Sequence, residues 1–174
     1  VASFPATARL VRDESLSPQL RRVRLGNCLH HFAPFGFKAT WNYLSVTHRV
    51  PVRVEVDPAS LVRALDDLET TRALVLPGAA AFAARRRALK RQGHRFPAGL
   101  HPWNSRGFCG LAYCPDPQKY PADPLPVVVS RVLASYAAGV DPAGRCFVCG
   151  GEDRRPRRAC RHCGVLPGGP GGRV

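Results

Sequence analysis

Four cysteines near the carboxyl end are the residues best placed to do chemistry. They run Cys146-x2-Cys149 and Cys160-x2-Cys163, with ten residues between the pairs. A CxxC turn lets two thiolates converge on one ion, and two such turns supply the four donors of a tetrahedral zinc site. Gly150 and Gly164 follow the pairs, where a chain turning back beneath a metal needs backbone freedom. Four thiolates leave no coordination position for water, so the expected zinc is structural and not catalytic. Arg145, Arg154, Arg155, Arg157, Arg158 and Arg161 crowd the same stretch and favour the thiolate forms. A thioredoxin-like redox site is the rival reading. Two pairs, and no flanking βαβ pattern, argue against it.

The remaining cysteines are less regular. Cys28 precedes His30 and His31, while Cys109 and Cys114 lie downstream of His101. These could assemble a second zinc site, but small buried free thiols are the simpler expectation. Cys28 beside a histidine is also a candidate nucleophile, although sequence neighbours seldom meet in a productive geometry. No GxSxG, HExxH or GxxxxGK[ST] pattern occurs. Asp66, Asp67 and Glu69 read as a solvated helix face and not as an acid–base pair. The chain is therefore expected not to be an enzyme.

Charge points to a partner. Lys and Arg total 26 against 12 Asp and Glu, a formal net charge of +14. Such a density repels itself, and a polyanion relieves that repulsion. Arg85, Arg86, Arg87, Lys90, Arg91 and Arg95 fall close together with no acid among them. They are RNA-binding candidates, together with Arg154, Arg155, Arg157, Arg158 and Arg161 beside the cysteines. The competing reading is a solvated basic face. A hydrophobic content of 45% allows a core, and no run of apolar residues is long enough to cross a membrane. CxxC spacing points to a reducing compartment. The amino end starts at Val1 without a signal-peptide pattern, as expected of a processed precursor or a partial chain.

Residues 146–164 carry Cys146, Cys149, Gly150, Pro156, Arg158, Cys160, Cys163 and Gly164 in the order CxxCG, basic Pro-containing spacer, CxxCG. This segment resembles the small zinc-ribbon protein family of the bacterial-type large ribosomal subunit. The resemblance implies that Cys146, Cys149, Cys160 and Cys163 hold zinc, and that Arg155, Arg157 and Arg158 touch ribosomal RNA. An enlarged organellar version would suit the chain length. The expected function is thus a structural RNA-binding component of a mitochondrial ribosome, located in the organellar matrix. Its expected partners are ribosomal RNA and neighbouring ribosomal proteins, with no homo-oligomer. Two alternatives stay open: a non-enzymatic zinc-binding accessory subunit of an organellar complex such as a respiratory complex, and a zinc-ribbon RNA-processing factor.

These residues need a scaffold, and the pattern predicts an α+β fold. Residues 1–31 read as a basic extended arm. Residues 32–96 read as a small α/β unit. Within it, 46–56 alternates, with Val50, Val52, Val54 and Val56 on one face, and predicts a half-buried strand. Asp57-Pro58 then opens a helix over 58–70. Residues 72–76 predict a second strand ended by Pro77-Gly78. Residues 79–92, rich in Ala and Arg, predict a helix closed by Gly93. The Pro-rich segment 97–126 reads as an extended loop. A helix over 127–138 closed by Gly139 and the ribbon make up 127–164, and 165–174 reads as a flexible tail. The aromatics of 32–44 are expected in a core or against a protein neighbour, with base stacking as the functional alternative.

Overall fold

A computed structural model of the chain describes residues 2–34, 36–94, 97–99, 102, 114–115, 123–140, 161 and 167–168. Among them are five helices: α1 (Phe4–Arg12), α2 (Pro18–His31), α3 (Phe37–Thr47), α4 (Ala59–Arg91) and α5 (Leu125–Ala137). Helix α1 packs on α2, α5 packs on α4, and α4 touches every other helix. The core is a single cluster that draws on all five helices and on Val54 of the α3–α4 connection.

The first two helices start on the same local chemistry. Ser3 ahead of Pro5 accepts the Ala6 N–H at 3.4 Å, and Ser17 ahead of Pro18 accepts the Leu20 N–H at 3.3 Å. A Ser hydroxyl replaces a missing intrahelical acceptor, and Pro has no N–H to leave unpaired in the first turn. Helix α1 buries Phe4, Thr7, Ala8 and Val11, and α2 buries Arg21, Leu25, Cys28 and Leu29. Both sets follow helical periodicity. Arg21 belongs inside because its Nε donates to the Val11 carbonyl at 2.7 Å. Val11 sits in the last turn of α1, where carbonyls lack intrahelical donors and the dipole favours a cation.

Helix α3 buries Thr40, Tyr43 and Leu44. Its end reverses through two bonds, Val50 N–H to Ser45 O at 2.7 Å and Arg49 N–H to Val46 O at 3.2 Å. This closure needs a left-handed residue, and Arg49 supplies it with φ 52°. A side chain there costs about 1 kcal/mol relative to Gly. Arg49→Gly is therefore expected to raise unfolding stability by roughly 1 kcal/mol, read as a higher urea midpoint at unchanged slope. An unchanged or lower midpoint would show that Arg49 makes compensating contacts. The same closure at α4 and α5 uses Gly93 (φ 82°) and Gly139 (φ 70°), the two glycines expected to end those helices.

Helix α4 organises the molecule. Asp57 accepts the Ser60 N–H at 3.3 Å, in keeping with the expected Asp57-Pro58 start. Ser60, Leu61, Ala64, Leu65, Leu68, Thr71 and Val75 face the core. Each fully buried Leu contributes about 1.5–3 kcal/mol. Helix α5 buries Leu125, Val128, Val129 and Val132. The Tyr43 hydroxyl donates to the Asp123 carbonyl just ahead of α5 and ties α3 to that end.

The α+β expectation is overturned: the described residues form a helical fold. Their one extended pairing is two residues long, Cys114–Pro115 antiparallel to Pro167–Gly168. Residues 1–31, expected to be extended, contain α1 and α2. The expected strand over 46–56 is the end of α3 and a turn. Its valines do not share a face: Val54 is fully buried, but Val52 and Val56 are 86% and 78% exposed. Alternation alone makes no strand without a neighbour to complete its backbone hydrogen bonds. The expected strand over 72–76 lies inside α4, which runs through Pro77. That Pro leaves the Ala73 carbonyl without its donor, but both residues are exposed, so water can serve it. The helix expected over 127–138 is α5. Among the described residues no helix is long and apolar enough to cross a membrane.

Candidate nucleic-acid interface

Val75 is the last buried residue of α4. The helix continues to Arg91, a further 16 residues, or about 24 Å at 1.5 Å per residue. This outer half carries Arg85, Arg86, Arg87, Lys90 and Arg91, all exposed. Phe82, Ala83 and Leu89 are half-buried along it, and the inner half has already nucleated a helix that Ala and Arg propagate well. Arg87, Lys90 and Arg91 lie at the negative end of the helix dipole, which they complement. The Gly93 closure then ends the element: His94 N–H donates to Leu89 O at 3.0 Å and Gly93 N–H to Lys90 O at 3.2 Å.

No carboxylate belongs to this stretch of helix. Between Glu69 and Asp116 the sequence contains no acid. Five acids of the bundle are held in local pairs. Arg12 binds Glu69 at 2.7 Å and also Asp66, and these bonds, Glu69 first, hold its guanidinium above the ordinary arginine range. His48 Nε2 and Asp67 lie 2.9 Å apart, half-buried between α3 and α4. Arg63 pairs with Asp57 at 2.6 Å and Arg131 with Asp123 at 2.8 Å. The acidic cluster 66–69 is thus a set of inter-helix clamps as well as a solvated face.

Cations of the bundle also turn inward. Arg21 is buried. Arg22 lies over Trp41 at 5.4 Å and donates to the Val52 carbonyl at 2.8 Å. Arg72 lies over Phe4 at 4.6 Å. Among the described residues, Arg21, Arg22 and Arg72 thus serve the fold, while the group on the outer half of α4 is exposed. Sequence reading finds that group but not that it shares one helix with the packed half, because Pro77-Gly78 looks like a stop. The long acid-free stretch was the available signal.

The aromatic segment serves the fold. Tyr43 is fully buried, Trp41 is covered by Arg22, and Phe37 stacks on His30 with ring centroids 4.6 Å apart. Cys28 is fully buried, and burial pushes its thiol up to about 11. At neutral pH it stays protonated and is no nucleophile. His30 and His31 are exposed while Cys28 faces the core, so this segment does not gather them around one ion.

The other sequence-derived site residues are distributed as follows. Arg161 is described and exposed. Cys146, Cys149, Cys160 and Cys163, with Arg95, Arg154, Arg155, Arg157 and Arg158, lie outside the described residues. Among the described residues no three His, Cys, Asp or Glu side chains converge as metal ligands do. Comparison of the chain with protein-family models, curated proteins and solved structures returns no match.

Proposed function

We propose that this chain is a structural RNA-binding component of a ribonucleoprotein, of the organellar ribosomal kind that the ribbon motif suggests. The outer half of α4 neutralises RNA phosphates, and the helical bundle braces neighbouring proteins. One observation carries the reading: five exposed cations follow the last buried residue of α4 on a helix segment that has no carboxylate. Phosphate contact relieves the repulsion among them and releases condensed counterions. At the carboxyl end, Cys146, Cys149, Cys160 and Cys163 are the donor set that would hold a structural zinc. Arg154, Arg155, Arg157, Arg158 and Arg161 would add phosphate contacts beside it.

The second reading is a non-enzymatic accessory subunit of an organellar protein complex. The exposure of Val52 and Val56 on the α3–α4 turn favours it, since a protein neighbour would cover such residues. Salt separates the two. For the full chain and a structured RNA, five phosphate contacts give a log–log salt slope of about −3.5 to −4.5, at 0.7–0.9 per contact. The same sample should contain about one zinc per chain. A slope near zero sinks the RNA reading and leaves the accessory-subunit one.

A further inference from the structure

A second stretch of the chain is free of acids. Residues 15–54 hold Arg21, Arg22, Arg24, Lys38, Arg49 and Arg53 and no carboxylate. They build α2, α3 and most of the turn that follows. On α2, at about 100° per residue with Arg22 as origin, Gly26 lies near 40°, Gln19 near 60°, His30 near 80° and Val23 near 100°. That arc faces α3 and the turn. Gln19 donates to Glu55 at 2.8 Å, Arg22 lies over Trp41 and donates to the Val52 carbonyl, and His30 stacks on Phe37. The Phe37 ring also comes within 4.0 Å of the place a Cβ on Gly26 would take.

Apolar side chains stay open to solvent along this seam. Val23 is 57% exposed and Phe37 42%, and Val52 and Val56 are more exposed still, with the half-buried Trp41 among them. These four are a majority of the seven large exposed hydrophobics among the described residues. Scattered exposed hydrophobics need no explanation, but a run of them along one seam marks a surface that something covers. From Gln19 to His30 the seam follows about 16 Å of helix, or about three turns.

Charge and shape select the cover. RNA is a poor fit, because valines offer bases no ring to stack on, and Phe37 and Trp41 already have His30 and Arg22 against them. A second copy is opposed by the charge of +14 on each chain. Glu55, the first acid after Glu14, is already engaged. Its own backbone N–H first, then Gln19, hold it below the ordinary carboxylate range, and Arg53 and Arg22 add attraction. Arg53 and Lys38 remain exposed at the turn and beside Phe37. We propose that this seam docks an acidic amphipathic helix of a neighbouring protein. Its apolar stripe covers Val23, Phe37, Val52 and Val56, and its carboxylates meet Lys38 and Arg53. About three turns is the span over which the i, i+3, i+4 and i+7 anchors of such a helix repeat. The inference rests on the bracing role proposed above, to which it gives a surface and a partner chemistry, and does not involve the cations of α4.

The test places the photoreactive amino acid p-benzoylphenylalanine in the full chain, in cells that build its native assembly. It replaces Val23, Val52 or Val56 on the seam, and Leu74 or Val127, which are exposed on α4 and α5, elsewhere. Cross-linked peptides are identified by mass spectrometry. All three seam positions are expected to capture one segment of one protein, richer in Asp and Glu than in Lys and Arg, with apolar residues at helical spacing. Lys38→Glu with Arg53→Glu should lower the yield at Val52 by about fivefold or more, since like charges then face each other. Circular dichroism should not change, because both side chains are exposed. Capture of RNA, of a second copy, of scattered partners, or of a segment lacking the acids or the helical spacing would overturn the inference. An unchanged yield in the double variant would do the same. Protein captured at Leu74 or Val127 but not on the seam would overturn it and leave the bracing role standing. No protein captured at any of the five positions would remove both.

Discussion

Replacing Arg85, Arg86, Arg87, Lys90 and Arg91 together with Gln is expected to weaken binding to structured RNA by on the order of 100-fold or more at 0.1 M salt. It should also flatten the log–log salt slope by about 3.5–4.5, the share of five phosphate contacts. Stability should hardly change. All five side chains are exposed, none belongs to the core cluster, and Gln nearly matches Arg and Lys in helix propensity. Circular dichroism of the variant should overlay that of the parent, which separates lost charge from lost helix. Unchanged affinity would move the phosphate contacts to the Arg154–Arg161 stretch. It would also remove the observation on which the proposed function rests.

Tyr43→Ala is expected to lower unfolding stability by about 3–5 kcal/mol, a large part of what a domain of this size possesses. The ring is fully buried in the common core, and its hydroxyl donates to the Asp123 carbonyl ahead of α5. Truncation leaves a cavity where the ring packs. Tyr43→Phe keeps the ring and should lose only about 0.5–1.5 kcal/mol, the net value of one part-buried hydrogen bond. Urea unfolding of both variants gives the comparison. If both losses are under 1 kcal/mol, α5 is not fastened to α3 through this residue. Because the outer half of α4 depends on a folded inner half, Tyr43→Ala should also reduce RNA affinity wherever the variant is partly unfolded, and Tyr43→Phe should not.

The helical fold was only partly legible in the sequence. The inner face of α4 was visible as Leu61, Leu65 and Leu68, its outer half as an Ala/Arg run, and the ends of α4 and α5 as Gly93 and Gly139. Helices α1 and α2 were missed for physical reasons. Their stripes contain Thr7, Ala8 and Arg21, which a search for strong hydrophobes passes over. Ser3 with Pro5 and Ser17 with Pro18 were start signals in plain view. The valines at 50–56 misled because alternation states what a strand requires, not whether a partner strand exists. Pro77 misled because its cost in a helix interior, about 3 kcal/mol, disfavours a helix without forbidding it, and water can serve the exposed Ala73 carbonyl.

The candidate interface was legible in part. Its cations could be named from charge density, since solvated side chains need no packing partner. Their separation from Arg21, Arg22 and Arg72 could not be, because a buried cation and an exposed one look alike in a string of letters. The four cysteines at 146, 149, 160 and 163 remain a reading of spacing and resemblance, and they lie outside the described residues.

The acids of α4 all lie in its packed half, while five of its seven cations lie in the far half, and this asymmetry has a kinetic consequence. It gives the helix a lengthwise charge dipole larger than that of its peptide groups. In the field of a large polyanion such a helix is turned basic end foremost before it collides. Encounters are thereby pre-aligned, and the association rate constant should fall as added electrolyte shortens the reach of that torque.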